Sequence, residues 1–475
     1  MATESMAKPL SHRWIGGRGA ADRLVLALAC AGQFMVILDA SVVNVALPSI
    51  QRDLGFSATG LAWVVNGYLL AFAGLMLSGG RAGDLFGQRR MLTAGLFVFS
   101  GASLVGGLAT GAGVLVAARV AQGAGAAFLA PATLAVVNTR FPAGPARARA
   151  LGAWSAAGGA GGMAGAVAGG ALTGALSWRW IFLINVPIGV VLIAVAMVAL
   201  SGTTVDRLAR LDPIGAVTGT AGASALVFGV VRSGAYGWSS ARVLGIIGAG
   251  VLLLAVFLVV EGRFATRPLM PLRLFGIRAV AAGNGMLLLF GGIPIAMWYF
   301  TSLLLQNVLG FGALRSGLGQ TPASVAFVVV ARWAAGLLPR VGARVLVAAG
   351  GGCFLAGFGW LARAGSGSGY LAAVFGPTLL VAVGLGLTFP TLMAVATADA
   401  PAEDAGIAGG LANTSSQIGG AVALAVLVTV AGSESAGSGA PAALAAGYDL
   451  VFLVAAGIGV VLAAAGLFLP QRPRG

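Results

Sequence analysis

The stretch LVLALACAGQFMVILDASVVNVAL, Leu24–Leu47, decides the fold. At about 1.5 Å of rise per residue, a helix of this length crosses the ~30 Å hydrocarbon core of a bilayer. Its one charged residue is Asp39, ~12 Å below the Leu47 end. A carboxylate at that depth costs roughly 3 kcal/mol or more, so it faces a polar cavity or a partner and marks a functional position.

The rest of the chain repeats the pattern. Of 475 residues, 59% are hydrophobic and 9% charged, and the mean hydropathy is +0.98. A soluble domain carries about 25% charged residues. Apolar runs between polar breaks give fourteen spans: 24–47, 59–79, 91–109, 113–137, 149–172, 180–200, 213–232, 243–261, 279–300, 317–338, 345–363, 370–393, 405–431 and 446–469. The expected fold class is an all-α integral membrane protein with 14 transmembrane helices, and the even number puts both termini on one side. With the N-terminus inside, 20 of the 28 Lys and Arg fall in inner segments, five in outer segments and three within spans. This bias orients both termini toward the cytoplasm across the plasma membrane. It also accounts for the net charge of +15 by topology, so no nucleic-acid partner is expected. The first apolar segment is too long for a cleavable signal and reads as a membrane helix.

Several chemistries find no support. There is no GxxxxGK[ST] loop, so no nucleotide is expected. The single histidine, His12, and two cysteines within apolar spans, Cys30 and Cys353, compose no metal site, disulfide framework or catalytic cluster. The chain reads as a non-enzyme without a cofactor. Apart from Asp39, no acid is read near mid-membrane, which points to a neutral or anionic ligand rather than a lipophilic cation.

Transporters are often built from duplicated halves. Gly123-x-Gly125-x-x-Phe128-x-x-Pro131 in the fourth span pairs with Gly384-x-Gly386-x-x-Phe389-Pro390 in the twelfth, and the loop Gly83–Arg89 pairs with Leu338–Arg344. The expected organisation is a cytoplasmic tail (1–23), a six-helix bundle (24–200), two extra helices with flanking loops (201–278), a second six-helix bundle (279–469) and a short tail (470–475).

The motifs carry a resemblance. Gly80-Arg81-Ala82-Gly83-Asp84-Leu85-Phe86-Gly87-Gln88-Arg89-Arg90 is similar to the signature loop of the major facilitator superfamily. Leu38–Pro48, Arg119–Gly125 and Trp178–Gly189 resemble the first-, fourth- and sixth-span motifs of its fourteen-span drug:proton antiporters. In the fifth span, Gly161-x-x-x-Gly165-Ala166-x-x-Gly169-Gly170 resembles their GxxxGPxxGG motif, with Ala166 where the family has proline. The resemblance implies a major facilitator fold, two six-helix bundles with two inserted helices, working as a monomer in the lipid bilayer. It would export small drug-like molecules in exchange for protons, driven by the proton gradient.

The site expectations follow. Asp39 and Arg119 lie at similar depths, ~12 and ~9 Å, so they can meet if their spans are adjacent. A carboxylate that alternates between a dry setting and one stabilised by a cation can take up and release a proton; a static ion pair is the alternative. Asn44, Trp63, Asn66, Tyr68, Gln122, Trp298 and Tyr299 are candidates for the substrate cavity, although Trp and Tyr near span ends also serve as interfacial anchors. Gly80, Gly83, Asp84, Gly87, Arg89 and Arg90 are expected to form a gating latch. Gly161, Gly165, Gly169 and Gly170 are expected to let helices approach and slide. A proton-coupled importer of a small metabolite and a non-transporting membrane sensor are the competing functions.

Overall fold

The computed structural model describes residues 15–142, 145–200, 213–264, 268, 270–363, 369–401, 404–435 and 440–469. Most of the expected N-terminal tail, the connector 201–212, the C-terminal tail 470–475 and the Asp84 side chain lie outside the described residues. The described elements are helical. They are α1 (Ile15–Leu54), α2 (Ala58–Phe86), α3 (Gln88–Gly107), α4 (Ala112–Arg140), α5 (Pro145–Ala175), α6 (Trp180–Ala199), α7 (Pro213–Tyr236), α8 (Ala241–Phe264) and α9 (Arg278–Val308). A 49-residue run, Ala313–Leu361, follows, and Gly342 breaks it into α10 (313–341) and α11 (343–361). The last three are α12 (Leu371–Ala396), α13 (Ala405–Ser435) and α14 (Pro441–Gly466).

Eleven helical stretches among the described residues are long and apolar enough to cross a membrane. The broken 49-residue run is one of them, and α5 and α7 are of spanning length as well, which brings the described helices to fourteen. The first helix is longer than its apolar stretch: it starts by Ile15 and runs through Pro48 to Leu54.

Close approach of backbones sets the packing. α4 lies between α2 and α3. A Cβ on Gly123 would overlap the Tyr68 carbonyl of α2, and one on Gly125 would stand 2.6 Å from the Phe99 nitrogen of α3. In α12, a Cβ on Gly384 would stand 2.6 Å from the Phe354 ring of α11, and one on Gly386 would stand 2.7 Å from Val330 of α10. The counterpart of Gly384 is therefore Gly125, not Gly123. Each is followed six residues later by a proline, Pro131 and Pro390. The expected pairing was two residues out of register, because a Gly-x-Gly pattern matches itself after such a shift while a helix turns positions i and i+2 to different faces. The loop pairing keeps its register. Gly87 (φ 89°, ψ 139°) and Gly342 (φ 82°, ψ 161°) occupy corresponding corners between α2 and α3 and between α10 and α11.

The repeat extends to the end of the bundle opposite the basic loops. Trp178 Nε1 donates to Asp53 Oδ2 at 2.9 Å, tying the α6 entrance to α1. Asn307 Nδ2 donates to the Tyr448 hydroxyl at 3.4 Å, tying α9 to α14. At the same end Ser302 Oγ and Gln306 Nε2 of α9 donate to the carbonyls of Asn44 and Val45 in α1, each at 2.9 Å. There α5 meets α10: a Cβ on Gly170 would stand 2.7 Å from the Ala313 carbonyl, and one on Gly317 would overlap the carbonyl of Ala166. α7 packs on α8 and leans on α2 and α13.

A side chain at Gly342 meets open space but an unfavourable backbone, since this positive-φ extended region is essentially glycine's own. Gly342→Ala is expected to cost roughly 1–3 kcal/mol and lower the thermal midpoint by several degrees. Gly336→Ala, a helical position with open space around it, should leave the midpoint unchanged or raise it. Circular dichroism melts of both variants in detergent check the contrast. A second expectation concerns Gly317→Ala. It should push α10 away from α5 and populate a form opened at this end, seen as longer distances between spin labels on the two helices.

Candidate functional site

Asp39 and Arg119 meet inside the bundle and are 0% and 1% exposed. Arg119 Nη1 stands 2.6 Å from Asp39 Oδ2. Nη1 also donates to Gln122 Oε1 at 3.0 Å, and Nε donates to the Val64 carbonyl of α2 at 2.9 Å. The guanidinium carbon lies 4.3 Å above the Tyr68 ring centroid, a cation–π contact of real weight once water is excluded. Asp39 Oδ1 accepts from Gln122 Nε2 at 3.0 Å and from Asn185 Nδ2 at 2.9 Å. Ser103 Oγ completes the group, accepting from the Gln122 amide at 2.6 Å.

Small residues bring these side chains together. Gly67 of α2 leaves room for Val120 and the Arg119 stem of α4. A Cβ on Gly189 would overlap the Ser100 hydroxyl of α3, so α6 sits close enough to deliver Asn185. Every partner of Asp39 is a donor, which complements an ionised carboxylate. Asn185 Oδ1 is buried without a hydrogen-bond partner, so the network keeps one unfilled acceptor beside Asp39. Arg119 has further support from the Val64 carbonyl, the Gln122 oxygen and the Tyr68 ring, and so keeps partners when Asp39 lets go.

A cavity of about 920 Å³ lies next to this network. It runs from Val36 and Trp298 at its floor to Arg81 and Asn138 near the basic-loop end. Phe290, Pro294 and Trp298 line it at four-residue spacing along α9. Pro294 cannot donate to the helix ladder, and the wider turn Ile295–Phe300 follows it. Val36 and Phe72 line the cavity, while Asp39 and Tyr68 lie about one turn beyond them. The charge network is thus walled off from the cavity in this conformation.

A family model described as Major Facilitator Superfamily matches residues 29–424. The chain belongs to the major facilitator superfamily. It is 45% identical over 451 residues to the cephamycin export protein of Amycolatopsis lactamdurans, covering 94% of this chain and 92% of that protein. It is 35% identical over 434 residues to the puromycin resistance protein of Streptomyces alboniger, covering 90% and 84%. The crystal structure of a D-xylose–proton symporter matches with a TM-score of 0.67 at 13% identity, covering 94% of this chain and 98% of that one, which is a likeness of fold. This major facilitator is a multi-pass transporter and not an enzyme.

The expected site residues are distributed unevenly. Asp39, Arg119 and Gln122 form one network, and Tyr68 stacks on it rather than lining the cavity. Of the expected cavity residues, Trp298 lines the cavity. Trp63 packs on Phe228 of α7, ring centroids 5.8 Å apart, because the α7–α8 pair covers that face of α2. Tyr299 is buried against Phe300, and Asn66 is buried with neither amide atom hydrogen-bonded. Asn44 bonds back to the Ala40 carbonyl at 3.4 Å and sits in the seal between α1 and α9. Gly161, Gly165 and Gly169 face Phe34, Ser41 and Val42 of α1, and Gly170 faces α10. Gly80 lines the cavity, Gly83 packs on Gln88, and Gly87 makes the corner before Arg89 and Arg90.

Ser103, Asn185 and Asp449 escaped the sequence reading. Asn185 lies inside the quoted sixth-span motif, and its polarity in an apolar run was the available signal. Asp449 lies within α14, with Oδ1 buried and unpartnered, so Asp39 is not alone among acids inside the spans. Asp449 does not line the cavity.

Removing one member of a buried pair leaves the other charge uncompensated, at a cost of roughly 3–5 kcal/mol. Asp39→Asn and Arg119→Gln should each lower the thermal midpoint, and the double variant should lose clearly less than the two losses combined. Additive losses in the melts would mean that the pair contributes no coupling.

Proposed function

We propose that this transporter exports small amphipathic compounds, antibiotics or similar drugs, across the plasma membrane in exchange for protons, by alternating access. The observation that carries the proposal is the buried Asp39–Arg119 network standing one helical turn from a drug-sized cavity. The relatives support the substrate class, since one is a cephamycin exporter and another a puromycin resistance protein.

In such a cycle the conformation described serves as the inward-facing end. The cavity reaches the basic-loop end, which the charge bias makes cytoplasmic, and the opposite end is closed by α1–α9 and α5–α10 contacts. Substrate loaded from the cytoplasm carries this form to the outward-open one, where the substrate leaves and a proton from outside reaches Asp39. That proton removes the charge that Arg119, Gln122 and Asn185 hold between them, loosens the bonds joining α1 to α4 and α6, and lets the protonated carrier return inward. Proton loss to the cytoplasm then restores the network in the inward-open form. The glycine contacts of α5 with α1 and α10 supply surfaces on which the two bundles can rock. The loop Gly83–Arg90, with Asp84, Arg89 and Arg90, acts as a latch at the cytoplasmic end.

The test is proton movement in inverted vesicles, read with a pH-sensitive dye, as antibiotics are added. Wild type should dissipate the gradient when a substrate is supplied, and Asp39→Asn should not. The Asp39→Asn/Arg119→Gln double variant serves as a folded control and should also fail to couple. Export and proton flux undiminished in either variant would overturn the assignment.

A further inference from the structure

The charge of the cavity is one-sided. Arg81, on the last turns of α2, is the one charged side chain among the described residues lining it, and no carboxylate lines it. The other polar groups are uncharged, chiefly the amides of Gln33, Asn138, Asn413 and Gln417. Gln33 Oε1 is buried without a hydrogen-bond partner. Asn413 is bonded to the Met76 sulfur at 3.4 Å, a weak contact that a ligand can replace. The remaining wall is apolar and aromatic, with Trp154 fixed by a 3.1 Å bond to Thr133. The volume of about 920 Å³ suits a drug-sized molecule.

An organic cation entering this space would leave water without meeting a counter-charge and would face Arg81. An organic anion would find the opposite. A guanidinium offers a planar, paired set of donors to a carboxylate or sulfonate, and such bonds are stronger than those between neutral groups. The approach has the same sign, because the cavity reaches the end where the chain concentrates its arginines, and a charged mouth raises the local concentration of the opposite charge.

We infer that the cavity selects amphipathic organic anions, with the acidic group on Arg81 and the apolar body against the aromatic wall. The inference deepens the proposed export function and rests on it for the direction of transport, but binding selectivity can be measured without transport.

The experiment uses the purified full-length protein and two ligands of nearly the same shape, cefoxitin, which carries a carboxylate, and its neutral methyl ester. Binding is read by quenching of tryptophan fluorescence. Wild type should bind cefoxitin at least about tenfold tighter than the ester, in keeping with one charge-assisted bond. Arg81→Gln should weaken cefoxitin by about tenfold and leave the ester within about twofold, while Arg81→Lys should keep the preference in part. Cefoxitin binding no tighter than ester binding, absence of binding included, would overturn the inference. So would equal weakening of both ligands by Arg81→Gln. If the anion preference holds while the vesicle assay shows no proton coupling, the ligand class stands and the antiport reading fails.

Discussion

Taking a carboxylate and a guanidinium out of water costs several kcal/mol per ion, and their attraction offsets this only when the remaining donors and acceptors are filled. Asp39 and Arg119 approach that condition by recruiting the Val64 carbonyl and Tyr68 ring of α2, Gln122 of α4 and Asn185 of α6, with Ser103 of α3 holding the Gln122 amide. Five of the first six helices, α1 to α4 and α6, are therefore held by a polar knot as well as by apolar packing. In a bilayer this matters more than in water, because lipid tails give apolar helix faces little reason to prefer one another. The knot specifies which helices meet, and it is sensitive to a single proton.

The second constraint is the absence of side chains where helices cross. Gly125 against α3 and Gly384 against α11 hold each bundle together in the same way. Gly170 and Gly317 do the corresponding work between bundles. Contacts made by backbone on backbone are flat and nearly free of interlocking side chains, so they allow both close packing and relative motion. The replacement of the family's proline by Ala166 falls at this boundary: its carbonyl faces Gly317. A proline at 166 would lack the N–H that alanine contributes to the α5 ladder, so α5 here is a more regular rod against α10.

Much of this was legible in the sequence, and the legible parts share a cause. Span number and the depths of Asp39 and Arg119 follow from the fixed rise of a helix and the fixed thickness of a bilayer. The corner at Gly342 follows from its match to Gly87. What was not legible depends on rotation about the helix axis. Trp63, Tyr68 and Trp298 read alike as aromatic residues of apolar spans, yet one packs on α7, one supports Arg119 and one lines the cavity. The two-residue slip in the repeat has the same origin, since the glycine pattern fixes position along the helix but not the face. The cavity itself is assembled from side chains on eight helices, and no short stretch of sequence contains its outline.

The separation between network and cavity has a consequence for specificity. Asp39 is out of a ligand's reach in this conformation, because its side chain is fully buried and does not line the cavity. A substrate in the cavity can therefore influence protonation only through the one-turn wall of Val36 and Phe72, or through the helices that carry both sites. Coupling then depends on which end of the bundle is open rather than on any particular contact with the substrate. A transporter arranged in this way can change the lining of its cavity without disturbing its proton machinery, and the two can be altered independently by substitution.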